Sequence, residues 1–334
     1  MTSNPSQPAE NRSAGKLNTL VRFLASALTA AVFAALIAGY LGPYAHPFDS
    51  LSHFRAHLLV AALAGLAAMF VAGVRLARAI WLIALASVLV PLAVTAPFFG
   101  IRLAPSSDTA RSEDHTALSL LQMNLRYNSD TKPALDLIRS TKADVVTLQE
   151  STERWVDALS GVKDIYPHRI LCGVKKPLGG NVILSKFQIR ESDTVCDEEL
   201  GFLATTIDLA NEEILTVASQ HLVWPWPFRQ WSQIEVLPAI LAQLDHPLVI
   251  GGDFNAVPWS AAVSVYADAA NARPIEGIGA TFAPYALPAS WKPVIGLPID
   301  NVLVSSEIKI LSTGTLPPTA SDHLPVLTRF SIKP

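Results

Sequence analysis

Leu248-Val-Ile-Gly-Gly-Asp253-Phe-Asn255 is the stretch on which the fold turns: an apolar run that reads as a strand, two glycines, then a carboxylate and a carboxamide. The same pattern recurs in both directions along the chain. Gln122-Met-Asn124 closes the run from Leu118, Leu148-Gln-Glu150 closes the run from Val145, and His221 follows Ile214–Ser219. Gly180-Asn-Val-Ile-Leu-Ser185 carries Asn181 at its start, Ile299-Asp300 precedes Asn301–Val304, and Ser321-Asp-His323 precedes Pro325–Phe330. A strand delivers its terminal side chain to one rim of its sheet. Most of these acids, amides and imidazoles are therefore expected at a common rim.

Between these signals, short apolar runs alternate with amphipathic segments. Strands are expected at Leu118–Met123, Asp144–Leu148, His168–Cys172, Asn181–Leu184, Ile189–Val195, Phe202–Leu209, Ile214–Ser219, Pro247–Ile250, Asn301–Val304 and Pro325–Phe330. Helices are expected over Lys132–Thr141, from Trp231 to Leu244, and over Ser260–Ala269. Consecutive strands dominate the middle of the chain. That predicts an α/β sandwich of two packed sheets covered by helices, and not a simple βαβ repeat.

The first hundred residues are of a different kind. Residues 1–102 hold seven Lys/Arg and two acids, leaving 18 basic and 26 acidic residues in 103–334, so the second part is acidic although the whole chain is only −3. Phe23–Leu41, His57–Val74 and Ala79–Gly100 are apolar enough to cross a bilayer, which takes about 20 residues. Two further spans after the first favour an uncleaved anchor over a secretory signal. The expected organisation is a disordered N-terminus over 1–16, a three-span transmembrane region over 17–101, a linker over 102–115 and a catalytic domain over 116–334. Arg12, Lys16, Arg22, Arg75 and Arg78 outweigh Arg55 and Arg102 on the opposite flanks. That bias keeps the N-terminus in the cytoplasm of a bacterial inner membrane and the C-terminal domain on the periplasmic side. Cys172 and Cys196 are the two cysteines. Outside the cytoplasm they form either a disulfide or two unrelated buried thiols.

Phosphoester hydrolysis needs a Lewis acid for the developing oxyanion, an oriented water and help for the leaving oxygen. A hard cation such as Mg²⁺ takes oxygen ligands and keeps several waters, so one or two carboxylates and an amide suffice. Glu150 and Asn124 end their strands where such ligands would sit. The ordered set Leu-Gln-Glu150, Gly-Asp253-Phe-Asn255 and Ser-Asp322-His323-Leu-Pro325 resembles the endonuclease/exonuclease/phosphatase superfamily, over about residues 116–332. The resemblance extends in outline to its bacterial membrane-anchored branch. It implies a four-layer α/β sandwich and a Mg²⁺ (or Mn²⁺) site. By position it implies metal ligation by Glu150 and Asn124, with Asp322 as a further ligand in some members. Asp253 would orient or deprotonate the attacking water, and Asn255 would support the phosphate. His221 and His323 would hydrogen-bond phosphate oxygens, and Asp300 would pair with His323. Asn181 lies near the phosphate by the same reading. Several members carry an acid two residues after the position of Asn124, where this chain has Arg126.

Substrate is the less determined part. A polyanion-binding domain usually presents a basic surface, and this one is acidic. Trp224, Trp226 and Phe228 alternate with prolines just after His221. Such a stretch suits a membrane interface or apolar ligand, a loop folded on the domain's own surface, or base stacking. The expected partners are the lipid bilayer and a phosphoester, with a lipid-linked phosphate or pyrophosphate favoured and nucleic acid as the alternative. No obligate protein partner is implied. A non-catalytic tethered binding module is the remaining reading.

Overall fold

The computed structural model describes residues 7–101, 117–209 and 213–333. It divides into two compact units, Met1–Thr95 and Ala96–Pro334. The expected linker, 102–115, falls wholly outside the described residues, as do residues 1–6 of the expected disordered terminus.

In the first unit, helix α1 (Gln7–Ala38) is followed by α2 (His46–Ser52), α3 (Arg55–Val71) and α4 (Arg78–Thr95). Helix α1 begins inside the stretch expected to be disordered, where Ala9, Glu10, Arg12 and Lys16 are good helix formers. Two stretches, Lys16–Leu41 and Arg78–Phe99, are long and apolar enough to cross a membrane, and α2 with α3 makes a third if that pair, bent by 66°, is one span. Helices α1 and α3 pack through small residues. A Cβ on Gly65 would stand 2.5 Å from Thr29 Oγ1, so only glycine permits that approach. Val32, Phe33 and Leu92 close around Leu59, Ala62 and Val88, while Leu28, Val60 and Leu82 face outward.

Among the described residues, the second unit has twelve strands. Strands β1 (Leu118–Asn124), β2 (Val145–Ser151), β3 (His168–Cys172) and β4 (Gly180–Ser185) begin the first sheet. Strands β5 (Gln188–Asp197), β6 (Phe202–Asp208), β7 (Ile214–His221), β8 (Leu248–Asp253), β9 (Ala272–Pro274) and β10 (Asp300–Ser305) form the second. The chain then returns to the first sheet with β11 (Ile308–Thr315) and β12 (Val326–Ile332). The sheet orders are β11-β12-β1-β2-β4-β3 and β5-β6-β7-β8-β10-β9. Each sheet has one parallel pair, β1 with β2 and β7 with β8, and is otherwise antiparallel.

Period-two patterning explains the layers. Leu120, Val145, Ile183, Val217, Val249, Val302 and Val304 point between the sheets. Their neighbours Leu121, Val146, Val182 and Leu184 point the other way, under helices α5 (Lys132–Thr141) and α6 (Glu153–Leu159). Likewise Ala218, Leu248, Ile250 and Leu303 meet α7 (Gln230–Ile234), α8 (Pro238–Leu241) and α9 (Ala261–Ala269). Strands buried on both faces are continuously apolar, which is why these runs carry so few polar residues. The result is the expected four-layer α/β sandwich.

Several local expectations change. The helix expected from Trp231 to Leu244 is two short helices, because Pro238 cannot continue the hydrogen-bond ladder. The Gly251-Gly252 pair serves close strand packing. A Cβ on Gly252 would lie 2.1 Å from the Gln220 carbonyl oxygen of β7, and one on Gly251 2.6 Å from Thr147 Oγ1.

Cys172 and Cys196 form a disulfide, with Cα atoms 5.7 Å apart. It joins β3 to β5, the edge strands of opposite sheets, and so ties the sandwich across its open side. The denatured, unreduced chain should therefore take up no thiol-alkylating label, and two labels after reduction. Replacing both cysteines by serine should lower stability by about 2–4 kcal/mol, read as a fall in Tm.

Candidate active site

The strand directions bring the polar ends together. In both parallel pairs the carboxyl ends meet the same rim: Asn124 closes β1, Glu150 lies at the end of β2, His221 closes β7 and Asp253 closes β8. Asp300 opens the antiparallel β10 directly opposite Asp253, and His221 is the register partner of Asp253 on the other side. His323 is added from a loop by a bridge to Phe282. Three non-glycine residues here have positive φ: Arg126 (55°), Glu150 (56°) and Asn255 (45°). That backbone is costly for a side chain and concentrates at functional sites. At Glu150 it coincides with a register shift between Leu148 and Ser151, a bulge that re-aims the carboxylate.

Asp253 is the hub and is buried. Its Oδ2 accepts a hydrogen bond from Asn124 Nδ2 at 2.9 Å and faces His221 Nε2 at 3.8 Å and His323 Nε2 at 3.6 Å. Its Oδ1 accepts the Asn255 N–H at 2.8 Å. Asn124 Nδ2 also donates to Glu150 Oε1 at 3.0 Å, and Glu150 Oε2 accepts the Tyr127 N–H at 2.9 Å. His323 Nδ1 lies 2.8 Å from Asp300 Oδ2. Burial alone would push the His323 pKa down, but the charges of Asp300 and Asp253 outweigh it and raise it to about 10. Burial drives the Asp253 carboxyl up, helped by Asp300 and opposed by His323 and His221, to about 6. A carboxylate that can hold a proton near neutrality thus stands beside an imidazolium. That is a base next to an anion-binding donor.

The other expected site residues are placed less directly. Asn255 donates its amide Nδ2 to the Leu222 carbonyl at 2.7 Å, fixing the chain just after His221. Asp322 is partly exposed beside His323, with Ser321 Oγ 3.5 Å from its Oδ1. Asn181 lies deeper: its amide donates to the Gly201 carbonyl at 2.8 Å and accepts from Ser219 Oγ at 2.9 Å. It belongs to a buried polar chain that sequence reasoning did not assign. Gln122 Nε2 donates to Asp300 Oδ1 at 3.0 Å and to Gln149 Oε1 at 2.9 Å, and Gln149 Nε2 donates to Ser219 Oγ at 2.9 Å. Gln122 stands two residues before Asn124, on the same strand face, and that spacing is the signal that could have found it.

The rim is aromatic. Trp224, Trp226 and Phe228 are 45%, 55% and 64% exposed. Trp224 packs edge-on against Phe282 with ring centroids 5.6 Å apart, and Phe282 lies 4.9 Å from the His323 ring. Trp224 is therefore coupled through one neighbour to a site histidine.

Among the described residues, one group of three acids or histidines comes close enough to hold a metal ion: Asp253, Asp300 and His323, within 4.8 Å of one another. The chemistry disfavours that trio, because Asp300 and His323 bind each other and a protonated imidazole has no lone pair to give. The oxygen donors of Glu150 and Asn124, at the more open side of Asp253, suit a hard divalent cation better.

Comparison with known proteins agrees with this fold. No curated protein matches the chain in sequence. Among solved structures, an endonuclease/exonuclease/phosphatase from Beutenbergia cavernae is 20% identical with a TM-score of 0.50, covering 65% of this chain and 72% of that one. A Bacteroides vulgatus endonuclease/exonuclease/phosphatase is 15% identical with a TM-score of 0.51, covering 65% of this chain and 100% of its own. D. rerio TDP2 complexed with a single-strand DNA product is 17% identical with a TM-score of 0.51, covering 65% and 99%. At these identities the likeness concerns the fold. The sequence profile of the Endonuclease/Exonuclease/phosphatase family matches residues 121–323, well over half of the chain. The chain belongs to the Endonuclease/Exonuclease/phosphatase family, a family of divalent-metal-dependent hydrolases of phosphoester bonds.

Proposed function

We propose that this protein is a membrane-anchored hydrolase of a lipid-linked phosphate or pyrophosphate, acting at the membrane surface outside the cytoplasm. The buried Asp253 carboxylate between His221, His323 and the Asn124–Glu150 pair carries the hydrolytic part of this reading. The exposed Trp224, Trp226 and Phe228 beside that centre support an apolar substrate, as does a chain with helices long enough to span a bilayer. A disulfide between the sheets favours an oxidising compartment. The nuclease reading draws on the fold of D. rerio TDP2, a protein seen with single-strand DNA product. The excess of acids in the catalytic part weighs against it.

Each residue has a stated task in this reading. Asp253 takes a proton from water as the oxygen attacks phosphorus in line. His323, held cationic by Asp300, and His221 on the other side of Asp253 donate to the phosphate oxygens. Asn255 holds the His221–Leu222 segment in place. Glu150 and Asn124, with Asp322 on the neighbouring loop, would hold Mg²⁺ (or Mn²⁺). The bound ion would supply Lewis-acid stabilisation of charge on the phosphoryl oxygens.

Glu150→Ala should abolish divalent-dependent turnover, a loss on the order of 100-fold or more. Asp253→Asn should cost roughly 10²–10⁴-fold in kcat. Steady-state assays of both variants on a lipid phosphate and on plasmid DNA check this; DNA cleavage lost in Glu150→Ala, with no lipid turnover, would sink the lipid assignment. The log kcat/KM profile should rise with pH through about 6, as Asp253 loses its proton, and fall through about 10, as His323 loses its own. Because the His323 pKa is raised by folding, its contribution to stability is full below about 6.5 and is lost as pH rises through about 10. Asp300→Asn leaves the burial and removes the largest opposing charge. The alkaline limbs of activity and of Tm should both move to lower pH. For topology, a reporter active only in the periplasm should be active when fused after residue 334.

A further inference from the structure

One lip of the site carries two cations, Arg126 and Lys292. Arg126 follows Asn124 at a positive φ of 55°, and its guanidinium lies 4.0 Å over the ring of Tyr285. Among the described residues that guanidinium has no hydrogen-bond acceptor and closes no ion pair. Lys292 is only 4% exposed, and its Nζ donates to the Ser321 carbonyl at 2.9 Å, next to Asp322 and His323. An ammonium has three donors, so one acceptor leaves it undersatisfied for so buried a position. Lys292 and the Tyr285 ring under Arg126 both lie on the segment between Phe282 and Leu297, and Phe282 bridges to His323, which places both cations on the His323 side of the centre; Asp322 and Asp300 also act on the Lys292 charge. They also stand out from their surroundings, because the catalytic part carries more acids than bases. Two cations together on an acidic domain suit one discrete anion and not a nucleic-acid track. Beside them Tyr285 and Trp291 are 64% and 55% exposed.

We propose that Arg126 and Lys292 form a subsite for a second, terminal phosphate, making an alkyl diphosphate the preferred substrate, with its apolar chain along the exposed aromatics. This rests on the hydrolytic reading of Asp253 and narrows its substrate. Guanidinium and ammonium are the side chains that bind phosphate most strongly, the first through a planar fork and the second as a point charge. With the terminal phosphate held there, water oxygen bonds to the phosphorus that carries the alkoxy group. The bridging P–O bond breaks, its electron pair leaves on inorganic phosphate, and the proton lost by water passes to Asp253. The products are an alkyl monophosphate and inorganic phosphate, and the two cations neutralise charge growing on the leaving group.

The test compares the full-length chain in detergent with Mg²⁺ on dodecyl diphosphate and on the diester dodecyl 4-nitrophenyl phosphate. The readout is the ratio of the two kcat/KM values. Arg126→Gln and Lys292→Met should each lower that ratio on the order of tenfold. Lys292→Arg should restore most of it, and inorganic pyrophosphate should inhibit the wild type more tightly than either loss variant. Arg126 is partly exposed, so its variant remains informative if Lys292→Met fails to fold. Equal losses on both substrates, or a fall in Tm with an unchanged ratio, would overturn the subsite and leave the hydrolytic reading standing. A wild-type chain that hydrolyses neither substrate overturns both.

Discussion

A single buried carboxylate sets the terms for this fold. Asp253 lies almost wholly out of water, where an unpaired charge is costly. The surroundings offset that cost with two imidazoles, one carboxamide and one backbone N–H aimed at its two oxygens. Only the N–H, that of Asn255, comes from the segment that carries Asp253. His221 arrives from the next strand of the same sheet, Asn124 from the opposite sheet, and His323 from the loop before the final strand. The two sheets must therefore meet in one register, since the centre is assembled across their interface.

The interface itself changes character along its depth. Far from the rim it is aliphatic, filled by Leu120, Val217, Val249, Val304 and their neighbours. Toward the rim it becomes a continuous hydrogen-bonded chain running from Asp300 through Gln122, Gln149 and Ser219 to Asn181. Such a network tolerates no sliding, because a displaced amide would leave a buried polar group without a partner. The aliphatic part supplies stability and the polar part supplies registry. Together they hold Asn124 and Asp253 at hydrogen-bonding distance although 129 residues separate them.

The sequence made the sandwich legible because strands buried on both faces cannot hide: Val145-Val-Thr-Leu and Leu248-Val-Ile have no other reading. The site acids and histidines were legible because each ends such a run. What escaped lacks that contrast. Strand β11 is an edge strand paired on one side only, with Ser312, Thr313 and Gly314 in place of an apolar face. Helix α6 offers just Trp155 and Leu159 to the core. Gln122 and Gln149 look like ordinary strand amides until the opposite sheet is in place. The bulge at Glu150 has no local signature, because it follows from how β2 meets β4. Neither could single residues reveal that Arg126 and Lys292, 166 positions apart, share one lip of the site.

Strand order gives the fold a temporal aspect. Strand β1 sits in the middle of its sheet between β2 and β12, yet β12 is synthesised long after the other two. Until it emerges from the ribosome, one side of β1 stays an open edge and His323, just before that strand, is not held at the site. An interrupted polypeptide thus carries Asn124, Glu150 and Asp253 without the placed imidazole that completes their charge balance. The fold in this way makes chemical competence wait for the chain to return to its first sheet.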